Sequence, residues 1–212
     1  MSTHSPVNPG APVHKPTRER ILDAAHELMR TLGLSRATTK EIARAAGCSE
    51  AALYKHFTSK EDLFVAVLDE RLPRLSPLLH HLVADPGART VEENLTEIAH
   101  QAVLFYAESF PIAASLYAET KLKARHDTAM RDMGTGPHMP IESLDAYLRA
   151  ERDAGRLAPG TDTFAAASLL LGACAQRAFA YDADGTIGRR PPQDVDAFAA
   201  ALTRTLLTGI AR

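Results

Sequence analysis

The sequence predicts an all-α protein in two parts, and three observations lead there. Strand signals are nearly absent: no apolar/polar alternation is sustained, and no hairpin dipeptide separates two β-branched runs. Apolar residues instead recur at helical spacing along almost the whole chain. A turn-rich "DPGA" at 85–88 then divides short helical patterns from long ones. With 212 residues, 45% of them apolar, the chain is long enough to bury a full core.

Each element has its own local reason. Residues 1–16 hold four prolines and lack the charged start and apolar centre of a signal peptide, which predicts a flexible tail. Thr17 opens a first helix whose apolar face is Ile21, Ala25, Leu28, Met29 and Leu32, and Gly33 closes it. Thr38 begins a second helix with Glu41 at capping-box distance, and Gly47 ends it. Ser49 caps a short third helix to about Phe57. Ser59 caps a fourth, with Glu61 and Asp62 placed where negative charge suits the helix dipole. "RLPRLSPLLHHL" then puts Pro73 and Pro77 in the second half of that helix. Each deletes a backbone hydrogen bond, so a kink, or a break and restart, is expected between Leu72 and Pro77. Longer helices follow over 90–109, 111–126, 139–154, 162–182 and 193–210, separated by glycine- and proline-rich turns.

Charge and cysteine usage narrow the function. Residues 13–60 carry nine Lys/Arg against five Asp/Glu, while the rest of the chain carries 15 against 21. A basic first module on an acidic remainder fits a polyanionic partner. Cys48 and Cys174 have no paired spacing, which fits a reducing compartment and neither a disulfide scaffold nor a zinc module. No apolar run approaches the roughly 18 residues of a membrane span, so no membrane partner and a cytoplasmic location are expected.

The stretch "TTKEIARAAGCSEAALYKHF" concentrates the chemistry. Ile42, Ala43 and Ala46 on one helix, and Ala52, Leu53 and Phe57 on the next, are small or apolar, and Gly47 between them permits a tight left-handed turn. Burying those faces turns Ser49, Glu50, Ala51, Tyr54, Lys55 and His56 outward. A basic, aromatic-tipped short helix braced by a partner suits the DNA major groove.

"RERILDAAHELMRTLGLSRATTKEIARAAGCSEAALYKHFTSKEDLFVAVL", residues 18–68, resembles the N-terminal domain of the tetracycline repressor (TetR) family. The resemblance covers about a quarter of the chain through "ILDAA", "TTKEIARAAG", "LYKHF" and "SKEDL" in order. It implies a homodimeric, ligand-responsive transcription regulator, usually a repressor of a palindromic double-stranded operator. It also implies a DNA-binding domain over 17–77, with the helix-turn-helix at about 40–59, and a ligand-binding and dimerisation domain over 78–212. By this resemblance Thr38 and Thr39 contact phosphate, Lys40 reaches a base edge or phosphate, and Arg44 touches the backbone. Ser49, Glu50, Ala51 and Lys55 face the bases, while Tyr54, His56 and Lys60 bind phosphates. Glu50 has two readings, a cytosine reader or an exposed acid at a helix start. Hydroxyls, helix N-terminal amides and cations are the groups that fix register on phosphate.

The remainder has no motif of its own. Leu104, Phe105, Phe110, Leu116 and Tyr117 form an apolar and aromatic concentration near Tyr106, and Met130 and Met133 follow in a glycine-rich loop. With Phe179 and Gln176 they are the candidate lining of a small-molecule cavity, and His100, Gln101 and Glu119 are further polar candidates. An ordinary core accounts for the same pattern. The helix at 162–182 is rich in small residues. That at 193–210 carries the stripe Val195, Phe198, Ala199, Leu202, Leu206 and Ile210, and the resemblance places the dimer interface on these last two helices. The sequence holds no HExxH, no GxSxG and no phosphate-cradling glycine loop, so neither catalytic residues nor a cofactor are expected. Nine histidines scatter without ligand spacing, so no metal site is assigned. A metal sensor, a helix-turn-helix used only for protein contact, and an enzyme-like helical ligand binder are the alternative readings.

Overall fold

The computed structural model describes residues 15–118, 120–181 and 190–209, all of it helices and their connections. Ten helices run in order: α1 (Thr17–Leu32), α2 (Thr39–Ala45), α3 (Glu50–Tyr54), α4 (Lys60–Glu70), α5 (Leu75–Ala84), α6 (Val91–Ala118), α7 (Thr120–Asp132), α8 (Met139–Asp153), α9 (Thr163–Ala180) and α10 (Val195–Thr208). The tail up to residue 14, Glu119, Asp182 and Ile210 lie outside the described residues.

Two apolar cores organise them. The first joins Ile21, Leu22, Ala25 and Met29 of α1 to Ile42, Leu53, Phe57, Leu63, Phe64 and Val67. The second gathers Leu75 and Leu79 of α5, Leu95, Ile98 and Ala102 of α6, Leu144 and Tyr147 of α8, and Leu170, Leu171 and Cys174 of α9. The boundary between them falls at 72–75. There the chain breaks and restarts: Arg71 caps α4, and α5 begins after Arg74. Pro73 sits in the break. Pro77 occupies the first turn of α5, where its missing N–H has no helical partner to lose. Arg71 anchors the end of α4 to α1, its Nε 2.9 Å from Asp23 and its other arm on Glu19. Burial works to raise the Asp23 carboxyl, but bonds from Lys15 and Arg71 outweigh it and hold the group below the usual carboxylate value.

Three boundaries depart from expectation. The helices expected over 90–109 and 111–126 are one, α6, which runs through Pro111. An interior proline costs about 3 kcal/mol, but each side of it is held by a different core. Leu95 to Val103 pack in the second core, while Ile112 and Leu116 pack in the first, and the Ile112 carbonyl accepts the Leu34 N–H at 3.0 Å. Met130 is a buried residue of α7, not part of a loop. The helix expected up to Phe57 ends at Tyr54, with Phe57 buried in the turn that follows.

By length and composition alone α9, with 18 residues and a mean hydropathy of 1.2, is apolar enough for a span, although Gln176 and Arg177 interrupt its apolar run. Its buried face packs against α6 and α8.

Candidate nucleic-acid interface

The α2–α3 pair is built by its caps. Thr38 accepts the Glu41 N–H at 3.2 Å, and the Glu41 carboxylate takes the Thr38 N–H at 3.1 Å, which completes a capping box. Hydrogen bonds from the Thr38 hydroxyl and then its backbone hold the Glu41 carboxyl below its ordinary value. Ser49 accepts the Ala52 N–H at 3.1 Å and opens α3. Between the helices Gly47 adopts φ 65°, and the Cys48 N–H returns to the Ala43 carbonyl at 3.0 Å. A Cβ on Gly47 would meet the Arg20 guanidinium at 3.2 Å. Gly47→Ala therefore combines left-handed strain with crowding, and should lower urea-measured stability by about 1–2 kcal/mol.

Ile42, Ala43, Ala46, Leu53 and Phe57 are buried. Opposite them the surface is polar: Thr38, Lys40, Arg44, Ser49, Glu50, Ala51, Tyr54, Lys55 and His56 are exposed, and Thr39 is half-buried. Thr39 donates its hydroxyl to Glu50 at 2.5 Å, and the Tyr54 hydroxyl reaches the same Thr39 oxygen at 3.4 Å. Glu50 is thus tied to α2 at the start of α3, which fits its reading as a helix-start acid. Ten of the eleven sequence-derived candidates are exposed or half-buried on α2, α3 and their flanking residues. Lys60 differs: it is half-buried, and its ammonium is held by the Leu34 carbonyl. Arg20, beside the Gly47 turn, was not singled out from sequence, although "RER" precedes the first helix pattern.

The cavity candidates are not brought together. Tyr117 is 74% exposed, Phe179 78% and Met133 40%, and Gln176 is also exposed. Leu116 and Met130 are packed in the first core. A residue's side of a long helix is set by what packs on it, so an aromatic pattern in α6 or α9 did not identify a lining. Leu104 is half-buried. Phe105 touches both cores and meets Tyr106 edge-on at 5.5 Å, while Tyr106 meets Phe110 at 5.6 Å. Burial pushes the Tyr106 hydroxyl up to about 12. A concavity of ≈530 Å³ lies elsewhere, between the start of α6 and α10, with Glu93, Glu97, His100 and Asp196 on its walls. Among the described residues no three His, Cys, Asp or Glu side chains converge on a metal position.

The stripe on α10 also plays another part. Val195, Phe198, Ala199, Leu202 and Leu206 pack into the chain's own second core, and Arg177 lies over the Phe198 ring at 4.6 Å. The apolar surface left open is on α9 at Phe164, Leu169 and Phe179, with Leu207 of α10.

Comparison with known proteins agrees with this placement. The signature of bacterial regulatory proteins, tetR family, matches residues 21–67. The chain is 27% identical over 161 residues to the HTH-type transcriptional regulator UidR of Escherichia coli (strain K12), covering 74% of this chain and 77% of that protein. It is 38% identical over 71 residues to the uncharacterized HTH-type transcriptional regulator YvkB of Bacillus subtilis (strain 168), covering 34% of this chain and 38% of that protein. The fold matches the fatty acid degradation regulator FadR of Bacillus halodurans with a TM-score of 0.63 at 21% identity, over 93% of this chain and 97% of that one. FadR of Bacillus subtilis, solved in complex with stearoyl-CoA, gives 0.63 at 18%, over 91% and 99%. The capped helix pair with its polar outer face lies within the residues that match the tetR-family signature of bacterial regulatory proteins, and it is carried on an all-helical fold shared with these regulators.

Proposed function

We propose that this protein is a sequence-specific DNA-binding transcription regulator of the cytoplasm, a repressor that binds a palindromic operator as a homodimer. The observation that carries this reading is the single face bearing Lys40, Arg44, Ser49, Ala51, Tyr54, Lys55 and His56 behind a fully buried Leu53. Thr38, Thr39, Tyr54 and His56 fix the register on phosphate, and Ala51 is small enough to meet a thymine methyl. A head of 17–77 and a body of 78–212 is the working division, supported by the separation of the two cores at 72–75. The body's α6 and α7 nevertheless contribute Ile112, Leu116 and Met130 to the head's core. Release by a small apolar ligand would act at the seam of Phe105, Tyr106 and Phe110, where both cores are within reach. Selection of bound fragments from random DNA by the full chain supplies the operator. On it, Tyr54→Ala should weaken binding to all sequences alike, and Lys40→Ala should lower the salt slope by about one. Unchanged affinity in both variants would sink the docking proposed.

A further inference from the structure

Two histidines stand where the body grips the head. His126 of α7 lies against α4 with its ring edge-on to Phe64, centroids 5.0 Å apart at 67°. It is 8% exposed, and its Nδ1 is enclosed with no hydrogen-bond partner. The ring helps to wall a void of ≈10 Å³, the size of one water, together with Leu34, Lys60, Glu61 and Leu116. The charged groups facing it are Lys60 and Glu61 from α4 and Lys123 and Asp127 from its own helix, while α6 presents the apolar Leu116. At the second contact His26 of α1 stands 3.5 Å from Glu108 of α6, its Nε2 enclosed and not aligned for a hydrogen bond.

We propose that His126 makes the head–body joint responsive to protons, acid loosening α7 from α4. An uncharged His126 is an aromatic packing piece against Phe64. A charged one is an enclosed cation that must find a partner, and the way to Glu61 leads through the small void and out of the Phe64 contact. Burial holds its pKa below the ordinary histidine value against the pull of Glu61 and Asp127. The unfolded chain therefore takes up the proton first. The contact's stabilisation is full above about pH 6.5 and is lost as pH falls through that value toward the lower folded one.

Any consequence for DNA rests on the function proposed above, but the joint itself does not, and its test needs no DNA. Amide hydrogen exchange of the full chain is followed at about pH 7.5 and about pH 5.5, with intrinsic rates divided out. Protection of α4 and α7 should fall by up to about tenfold at the lower pH, the ceiling for one histidine whose unfolded value is about 6.5, while the facing segments of α1 and α6 hold. In His126→Phe, which keeps the ring and removes the titration, α4 and α7 should show no pH-dependent loss. His126→Asn serves the same comparison if the phenylalanine variant does not fold. A wild-type chain without the loss, or a non-titrating variant that keeps it, overturns the proposal.

Discussion

Leu53→Ala should destabilise the head by about 2–5 kcal/mol and abolish DNA binding with it. Helix α3 has five residues, far too few to hold its shape alone. Leu53 is its one buried side chain, fully enclosed in the core that includes Ile21, Ile42, Phe57 and Leu63. The outer positions Ser49 to His56 are therefore oriented chiefly by this contact, with the Ser49 cap, the bonds of Glu50 and Tyr54 to Thr39, and buried Phe57 adding to it. Truncation removes three carbon atoms from a site whose walls belong to three other helices and cannot all collapse inward. Leu53→Met, which conserves volume, should cost less than about 1.5 kcal/mol and retain binding. Urea unfolding of both variants, with DNA affinity measured in parallel, checks the pair. If Leu53→Ala unfolds within 1 kcal/mol of wild type on the same scale, α3 is not held in the way described.

What could be read in advance divides according to how far the deciding contact lies along the chain. Thr38 with Glu41, Ser49 with Ala52, and Ser59 with Asp62 are contacts across three residues, and each cap forms as the sequence indicates. Gly47 likewise carries its own reason in a positive φ. The outward face of α3 followed from these, since burying Leu53 and Phe57 leaves only one way for Tyr54 and Lys55 to point. Pro111 reads locally as a helix end. It is overridden because Ile112 and Leu116 pack in the first core with residues distant in sequence, such as Ile42 and Met29. Tyr117 and Phe179, two of the cavity candidates, lie exposed for a related reason. Periodicity shows that Tyr117 and Phe179 share faces with other apolar residues, but not whether a neighbouring helix covers that face, and among the described residues none does. Lys60 was assigned outward by motif position. The Leu34 carbonyl, 26 residues away, holds its ammonium, and no local signal announces that bond.

Leu169→Glu should convert a proposed homodimer into a monomer and weaken binding to a full palindromic site by about 30-fold or more, the effect of losing a hot-spot contact. The argument starts from the exposed face of α9. Ala165, Leu169, Gly172, Gln176 and Phe179 are all exposed and follow one another at alternating steps of four and three residues, a stripe along most of the 18-residue helix. Leu169 is 64% exposed and Phe179 78%. Single exposed apolar residues are ordinary, but a stripe of them along one helix marks a surface that another surface covers. Gly172 adds an independent reason. A glycine in mid-helix costs roughly 0.5–1 kcal/mol relative to alanine, and a Cβ there would meet nothing within 4 Å, so the chain's own packing does not require it. The close approach of a second helix does. In a two-fold dimer the same patch serves both partners, so one substitution would place two carboxylates in the interface, each without a cation to meet it. Because Leu169 faces away from the second core, the body should stay folded, with circular dichroism unchanged. Val83→Glu, at an exposed apolar position of α5 outside the stripe, should leave both mass and affinity as they were. Sedimentation equilibrium at micromolar concentration separates the outcomes: a Leu169→Glu chain that still runs at twice the monomer mass removes α9 from the interface.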